Sequence, residues 1–211
     1  ARVQGCRVVV RRVDRVESHV QGPRHVECRE RADVAPGVRV EAQRDRLLVY
    51  DSATGKWLDA TNRVPSNASG GNSSGVAFAD FNADGYPDLY IGLQGDNYAG
   101  KENVLAIFDP TNETYKDETS SRIIGGEYAG ATTEVQTADL DRDGDLDIVV
   151  ANRMKRGGPA GPEAIDYILI NNGAGFFTRT MLTSSGFNSD SRSVVVTNLD
   201  EPMNGTQSAP E

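Results

Sequence analysis

Residues 47–211 contain neither cysteine nor histidine; Cys6, Cys28, His19 and His25 all fall in the first 46 positions. That removes thiolate and imidazole chemistry from most of the chain, and with it Cys–His and Ser–His nucleophilic machinery. Apolar runs are equally scarce. None approaches the ~18 residues that a membrane-spanning helix needs. Positive charge is short too: 22 basic against 31 acidic side chains leave a net charge of −9. Such a balance argues against nucleic acid and anionic membrane surfaces as partners. No signal peptide is visible and the chain starts without Met, so a fragment or a processed form is expected.

Residues 1–46 differ in composition from the rest. They hold 11 Arg and 11 Val but no Leu, Ile, Phe, Tyr, Trp, Met, Lys, Asn or Thr. A segment without large apolar side chains buries too little surface to offset the entropy of ordering, so little packed structure is expected there. Cys6, His19, His25 and Cys28 match no zinc-site spacing, and no C-x₂-C pair is present; zinc is not expected, and nothing supports a Cys6–Cys28 disulfide. A shifted reading frame of a GC-rich gene is the alternative explanation. Every residue type here except Cys6, Ser18 and Cys28 has a codon beginning with G or C. In the shifted frame Arg7, Arg11, Arg12 and Arg15 fall where an acidic loop motif would need Asp, Asp, Gly and Asp.

What the chain does have is aspartate at fixed spacing. Asp139-Leu-Asp-Arg-Asp-Gly-Asp-Leu-Asp147 reads D-x-D-x-D-G-x-x-D. Oxygen-bearing side chains on alternate residues, followed by a turn-forming Gly144, make a loop that wraps a hard cation. Asp139, Asp141, Asp143 and Asp147 are the side-chain candidates and Asp145 offers its backbone carbonyl. Calcium fits better than magnesium, because it accepts 6–8 oxygens in loose geometry. On this reading Asp143→Ala costs more than any single surface change elsewhere, and Asp145→Ala is milder.

The pattern repeats at a fixed step. One step earlier stands Asp80-Phe-Asn-Ala-Asp-Gly-Tyr-Pro-Asp88, with Asn82 supplying an amide oxygen beside Asp80, Asp84 and Asp88. One step later, Asn198 and Asp200 begin the motif and Glu201-Pro-Met-Asn204 loses it. Val76, Val135 and Val194 keep the same step, each at the same distance ahead of its motif. These loops are not EF-hands: position 12 is Ile91 or Val150 where a Glu is required. Their flanks are short, apolar and β-prone, so each turn joins two strands.

A second phrase recurs between the loops. Leu47-Leu-Val-Tyr50, Val104-Leu-Ala-Ile-Phe108 and Tyr167-Ile-Leu-Ile170 each lead into a polar turn and an aromatic strand carrying Trp57, Tyr115, and Phe176 or Phe177. Packing between sheets is expected of these aromatics in preference to sugar binding. The unit is hairpin, polar loop, strand, acidic loop, strand: four strands in about 59 residues, with no helical periodicity over 47–211. That is one blade of a β-propeller. The expected fold is all-β, a partial propeller of about three four-stranded blades, the last incomplete, extending over residues 47–211.

The phrase Val-x-x-Ala-Asp-Phe/Leu-Asn/Asp-x-Asp-Gly-x-x-Asp, with its Asn-Asn-Gly hairpin, resembles the VCBS and FG-GAP repeats, which also build integrin α-subunit propellers. The resemblance covers about residues 38–205. It implies calcium at Asp80, Asn82, Asp84 and Asp88 and at Asp139, Asp141, Asp143 and Asp147, with Tyr86 and Asp145 giving backbone oxygens. A distorted third site would use Asn198, Asp200 and Asn204. It also implies an extracellular or cell-surface location, where calcium is millimolar.

Three blades do not close a ring, since propellers run to 4–8, so part of a longer propeller is expected. The function expected is a non-catalytic calcium-binding module for adhesion or for protein or carbohydrate binding. Loops 94–100 and 153–158 would form the contact face. Arg153, Lys155 and Arg156 are a basic cluster open to an anionic glycan or simply solvated. The alternative is a catalytic or accessory propeller of a secreted polysaccharide lyase or phospholipase-like enzyme.

Overall fold

The structure is a computed structural model that describes residues 7–10, 46–68, 73–95, 98–154, 164–182 and 190–197. The expectations for Cys6, Arg11, Arg12, Arg15, His19, His25, Cys28, Lys155, Arg156, Asn198, Asp200 and Asn204 concern positions outside those residues.

Among the described residues, three sheets of three or more strands follow one another along the chain. The first contains β1 (Arg7–Val10), β2 (Arg46–Asp51) and β3 (Lys56–Asp59), in that order. The second, a complete four-stranded antiparallel blade, is β4 (Ser73–Ala79), β5 (Asp88–Leu93), β7 (Val104–Asp109) and β8 (Thr114–Asp117); β6 (Lys101–Glu102) sits in the connection between β5 and β7. A one-turn helix α1 (Thr119–Arg122), β9 (Ile123–Ile124) and β10 (Ala129–Gly130) lead into the third sheet. That blade is β11 (Thr132–Ala138), β12 (Asp147–Asn152), β13 (Tyr167–Asn171) and β14 (Phe177–Met181). The architecture is an all-β partial propeller.

The repeat is visible strand by strand. β11 begins at Thr132 where β4 begins at Ser73, and β12 begins at Asp147 where β5 begins at Asp88, the same step that separates the acidic motifs. Each acidic motif closes the hairpin between a blade's first two strands, as its short apolar flanks require. Two differences from the sequence reading are small. One turn of α-helix at Thr119–Arg122 and one 3-10 turn at Thr61–Arg63 occur where no helical period exists; a single turn needs no amphipathic stripe. Within 1–46, Arg7–Val10 is a strand, paired antiparallel with β2.

Burial follows the stacking of blades. β5 is buried along its whole length, because both of its faces are covered. Leu89, Ile91 and Leu93 join Leu47, Val104, Ala106, Phe108 and Tyr115 in one core layer. Tyr90 faces the other layer, with Leu105, Ile107, Ile148, Val150, Leu169 and Phe177. A two-sided strand reads as a continuous apolar run, which is why Leu-Tyr-Ile-Gly-Leu shows no alternation. Tyr115 and Phe177 are buried, at 4% and 0% exposure, whereas Trp57 at the matching hairpin position is 48% exposed. Packing is therefore the role of the first two. The neighbouring Phe176 is also exposed and lies under the Arg122 guanidinium, 4.9 Å away.

Adjacent blades approach closely at Gly92. A Cβ added there would lie 2.4 Å from Thr132 Cγ2 and 3.1 Å from Val135 Cγ2. Both neighbours are β-branched, stiff and in the next blade's first strand. Gly92→Ala is therefore expected to destabilise the chain by about 1–3 kcal/mol, the usual range for overpacking, and chemical denaturation measures it. The outer edge of the third blade is capped as well. β9 pairs parallel with β14 through Ile123 and Ile124, covering a strand edge that would otherwise invite association.

Candidate metal centre

Both acidic turns fold by the same local bonds. Asp80 Oδ1 accepts the Asp84 N–H at 3.0 Å and its Oδ2 accepts the Gly85 N–H at 2.8 Å. Asp139 does the same with Asp143 at 3.2 Å and Gly144 at 3.1 Å. The first aspartate thus pins the turn from its own side chain, as short polar residues do. The sharp reversal needs left-handed backbone: φ is +57° at Ala83, +66° at Arg142, +86° at Gly85 and +97° at Gly144. Glycine adopts this without penalty.

The last position of each motif is built differently. Asp88 and Asp147 are fully buried at the start of β5 and β12. Asp147 Oδ2 accepts the Leu140 N–H at 2.7 Å and Oδ1 accepts the Asn171 N–H at 2.8 Å. Asp88 likewise accepts the Phe81 N–H at 3.1 Å and the Phe108 N–H at 2.9 Å. These carboxylates tie each acidic turn to the neighbouring hairpin whether or not a cation is bound. Burial raises the Asp88 carboxyl to about 6 despite those donors, with the Asp84 and Asp80 charges adding to the effect.

In the second turn, Asp139, Asp141 and Asp147 each offer a carboxylate oxygen within 4.8 Å of the others. Asp143 is not in this trio; its Oδ1 accepts the Asp145 N–H at 3.1 Å. The Asp145 side chain also enters the acidic cluster. Its Oδ1 is buried without a hydrogen-bond partner, and burial, followed by the charge of Asp143, lifts its carboxyl to about 6. Asp141 is raised by the same two causes in the same order. In the first turn Asn82 Oδ1 accepts the Asp84 N–H at 3.1 Å, and Tyr86 donates its N–H to Asp84 Oδ1 at 2.9 Å. Crowded carboxyls, an orphaned buried oxygen and an all-oxygen donor set are what a hard cation would relieve.

Sequence reasoning missed Asn171. It is 3% exposed and its Nδ2 donates to Phe81 O at 2.8 Å and Leu146 O at 3.2 Å. One amide thereby joins the acidic turn of one blade to that of the next. The available signal was an Asn ending an otherwise apolar strand, Tyr-Ile-Leu-Ile-Asn.

At the opposite end of the blades, the two candidate contact loops meet. The Arg153 guanidinium lies 4.1 Å from the Tyr98 ring centroid. Its Nε is 3.7 Å from Asp190 Oδ1, so Arg153 belongs to an ion pair and a stacked contact.

Residues 33–91 match the FG-GAP-like repeat family. The chain carries an FG-GAP-like repeat. The matched stretch runs through β2, β3, β4, the first acidic turn and β5 as far as Ile91. The second turn, outside the matched residues, has the same pinning bonds in the next blade. No curated protein matches the chain.

Proposed function

We propose that the chain is a calcium-stabilised, non-catalytic module that works outside the cell, holding contact loops for a protein or glycan partner. The observation that carries this reading is the convergence of Asp139, Asp141 and Asp147 to within 4.8 Å. Oxygen-only donors in a flexible turn suit Ca²⁺, whereas Mg²⁺ requires a near-ideal octahedron and retains its waters. Asp139, Asp141, Asp143 and Asp147, with the Asp145 carbonyl, would hold one ion. Asp80, Asn82, Asp84 and Asp88, with the Tyr86 carbonyl, would hold a second. The calcium's contribution is charge neutralisation in the turns. The remote loops, including Tyr98 and Arg153, are then free to vary for recognition on a rigid base.

Calorimetric titration of the metal-stripped chain tests the reading. Two calcium ions are expected to bind at roughly 0.1–1 mM, the range of extracellular modules, with magnesium weaker. No heat up to about 10 mM calcium, well above that range, or equal affinity for magnesium, would overturn it. Screening against acidic glycans with and without calcium then tests the contact face: binding should be saturable, without turnover, and weakened by Arg153→Ala.

A further inference from the structure

The joint between the second and third blades contains a buried polar chain that the acidic turns do not use. Asn103, 1% exposed, stands at its centre. Its Oδ1 accepts the Leu93 N–H at 2.7 Å, and its Nδ2 donates to Tyr90 Oη at 3.0 Å and Tyr167 Oη at 2.7 Å. The two tyrosine hydroxyls are 3.1 Å apart and both rings are fully buried. Tyr90 belongs to β5 of one blade and Tyr167 to β13 of the next, so the polar chain crosses the joint.

It ends on a carboxyl. Tyr167 donates its hydroxyl to Glu127 Oε1, which also accepts the Tyr128 N–H at 3.0 Å. Glu127 Oε2 is buried with no hydrogen-bond partner. The groups facing this carboxyl are Tyr90 from β5, Tyr167 from β13, Tyr128 beside it and Arg179 from β14. Arg179 spends one Nη1 donor on Gly126 O at 2.6 Å and lies 5.6 Å from the Tyr128 ring centroid. Ionising Glu127 therefore places a charge where one oxygen has donors and the other has none. An unsatisfied buried oxygen costs more when it carries charge.

We propose that Glu127 is a proton-sensitive latch across the joint between these two blades, firm when the carboxyl is neutral and weakened when it ionises. Burial holds the Glu127 carboxyl up at about 7, against the lowering pull of the Tyr167, Tyr128 and Tyr90 donors and of Arg179. The sign follows from linkage. An acid whose folded value lies above its ordinary 4.5 contributes stability that is fully present below pH 4.5 and is lost as pH rises through about 7. The latch therefore tightens on mild acidification, in the pH range between extracellular fluid and acidic compartments.

The test is thermal melting of the full chain in saturating calcium, which keeps the acidic turns ionised and bound, from pH 6 to pH 8.5. The parent is expected to lose roughly 3–5 °C on going from pH 6 to pH 8, the size of a tenfold proton-affinity effect in a chain of this length. Glu127→Gln, which keeps the shape and removes the titration, should flatten that slope and melt higher than the parent at pH 8. His19 and His25 are common to both proteins, so the difference isolates Glu127. An unchanged slope in Glu127→Gln would overturn the proposal. Should that variant fail to fold, carboxyl ¹³C resonances of the parent decide. One glutamate midpoint near 7 that moves upward in Arg179→Gln supports the latch, and all glutamates titrating in the ordinary range refute it.

Discussion

Asp147→Ala is expected to lower stability by about 2–5 kcal/mol in chelator, where no calcium contributes, because a buried donor left unsatisfied costs about 1–3 kcal/mol and two would be stranded together. The donors are the Leu140 N–H at 2.7 Å and the Asn171 N–H at 2.8 Å. The loss also weakens the tie between the acidic turn and the β13–β14 hairpin, leaving the Asn171 Nδ2 bond to Leu146 O at 3.2 Å between them. Asp143 differs: it is exposed and accepts the Asp145 N–H within its own turn. Read from sequence, Asp143→Ala costs more than any single surface change elsewhere, as loss of an inward calcium ligand. When metal is absent, the buried bonds of Asp147 make its loss the larger one. Urea denaturation of both variants in chelator measures it. An Asp143→Ala loss equal to or above that of Asp147→Ala would show that the buried bonds are not what holds the turn.

The second large effect is calcium itself. A ligand that binds only the folded state stabilises it by about 2.7 kcal/mol at a hundredfold excess over Kd. In a chain of this size that raises the melting temperature by roughly 5–10 °C for one site, and by more if both turns fill. Asp145→Ala separates metal binding from simple charge relief. Its carboxyl has one buried oxygen without a partner and is raised by burial and by the Asp143 charge. Removing it should leave the chelated protein as stable as the parent or slightly more stable. In calcium, the same variant should keep most of the parent's gain, because its backbone carbonyl remains. Melting curves of the parent and this variant, with calcium and with chelator, make the comparison. A parent whose melting temperature ignores calcium would end the metal reading of both turns.

Gly92→Ala and the Glu127 latch probe a different layer of the protein, the joints between blades. Neither residue belongs to a recurring motif. Gly92 matters because Thr132 and Val135 of the next blade occupy the space a side chain would need. Glu127 lies in a polar loop, Gly125-Gly-Glu-Tyr-Ala-Gly130, whose sequence reads as too polar for structure of its own. Tyr90, Asn103 and Tyr167, which complete its polar chain, come from three separate stretches of sequence. No local pattern connects them; only the stacking of two sheets does.

The blade itself was legible in the amino-acid order. The regular step of the acidic motifs, the apolar flanks and the hairpin phrases require strand, turn and strand in a set order. Each of those signals is local, because strand propensity, turn chemistry and alternating aspartates act within a few residues. The positions of Asp80, Asp88, Asp139 and Asp147 could be read for the same reason. How equivalent positions come to differ was settled by packing between sheets. Packing buries Tyr115 and Phe177 while leaving Trp57 half exposed. It ties Asp147 to the hairpin that follows and draws the Asp145 side chain into the acidic cluster. It also sets an unpartnered carboxylate oxygen between two blades. Those outcomes depend on which surface each blade meets, and contact between sheets is a property of distance in space, which a period along the chain does not encode.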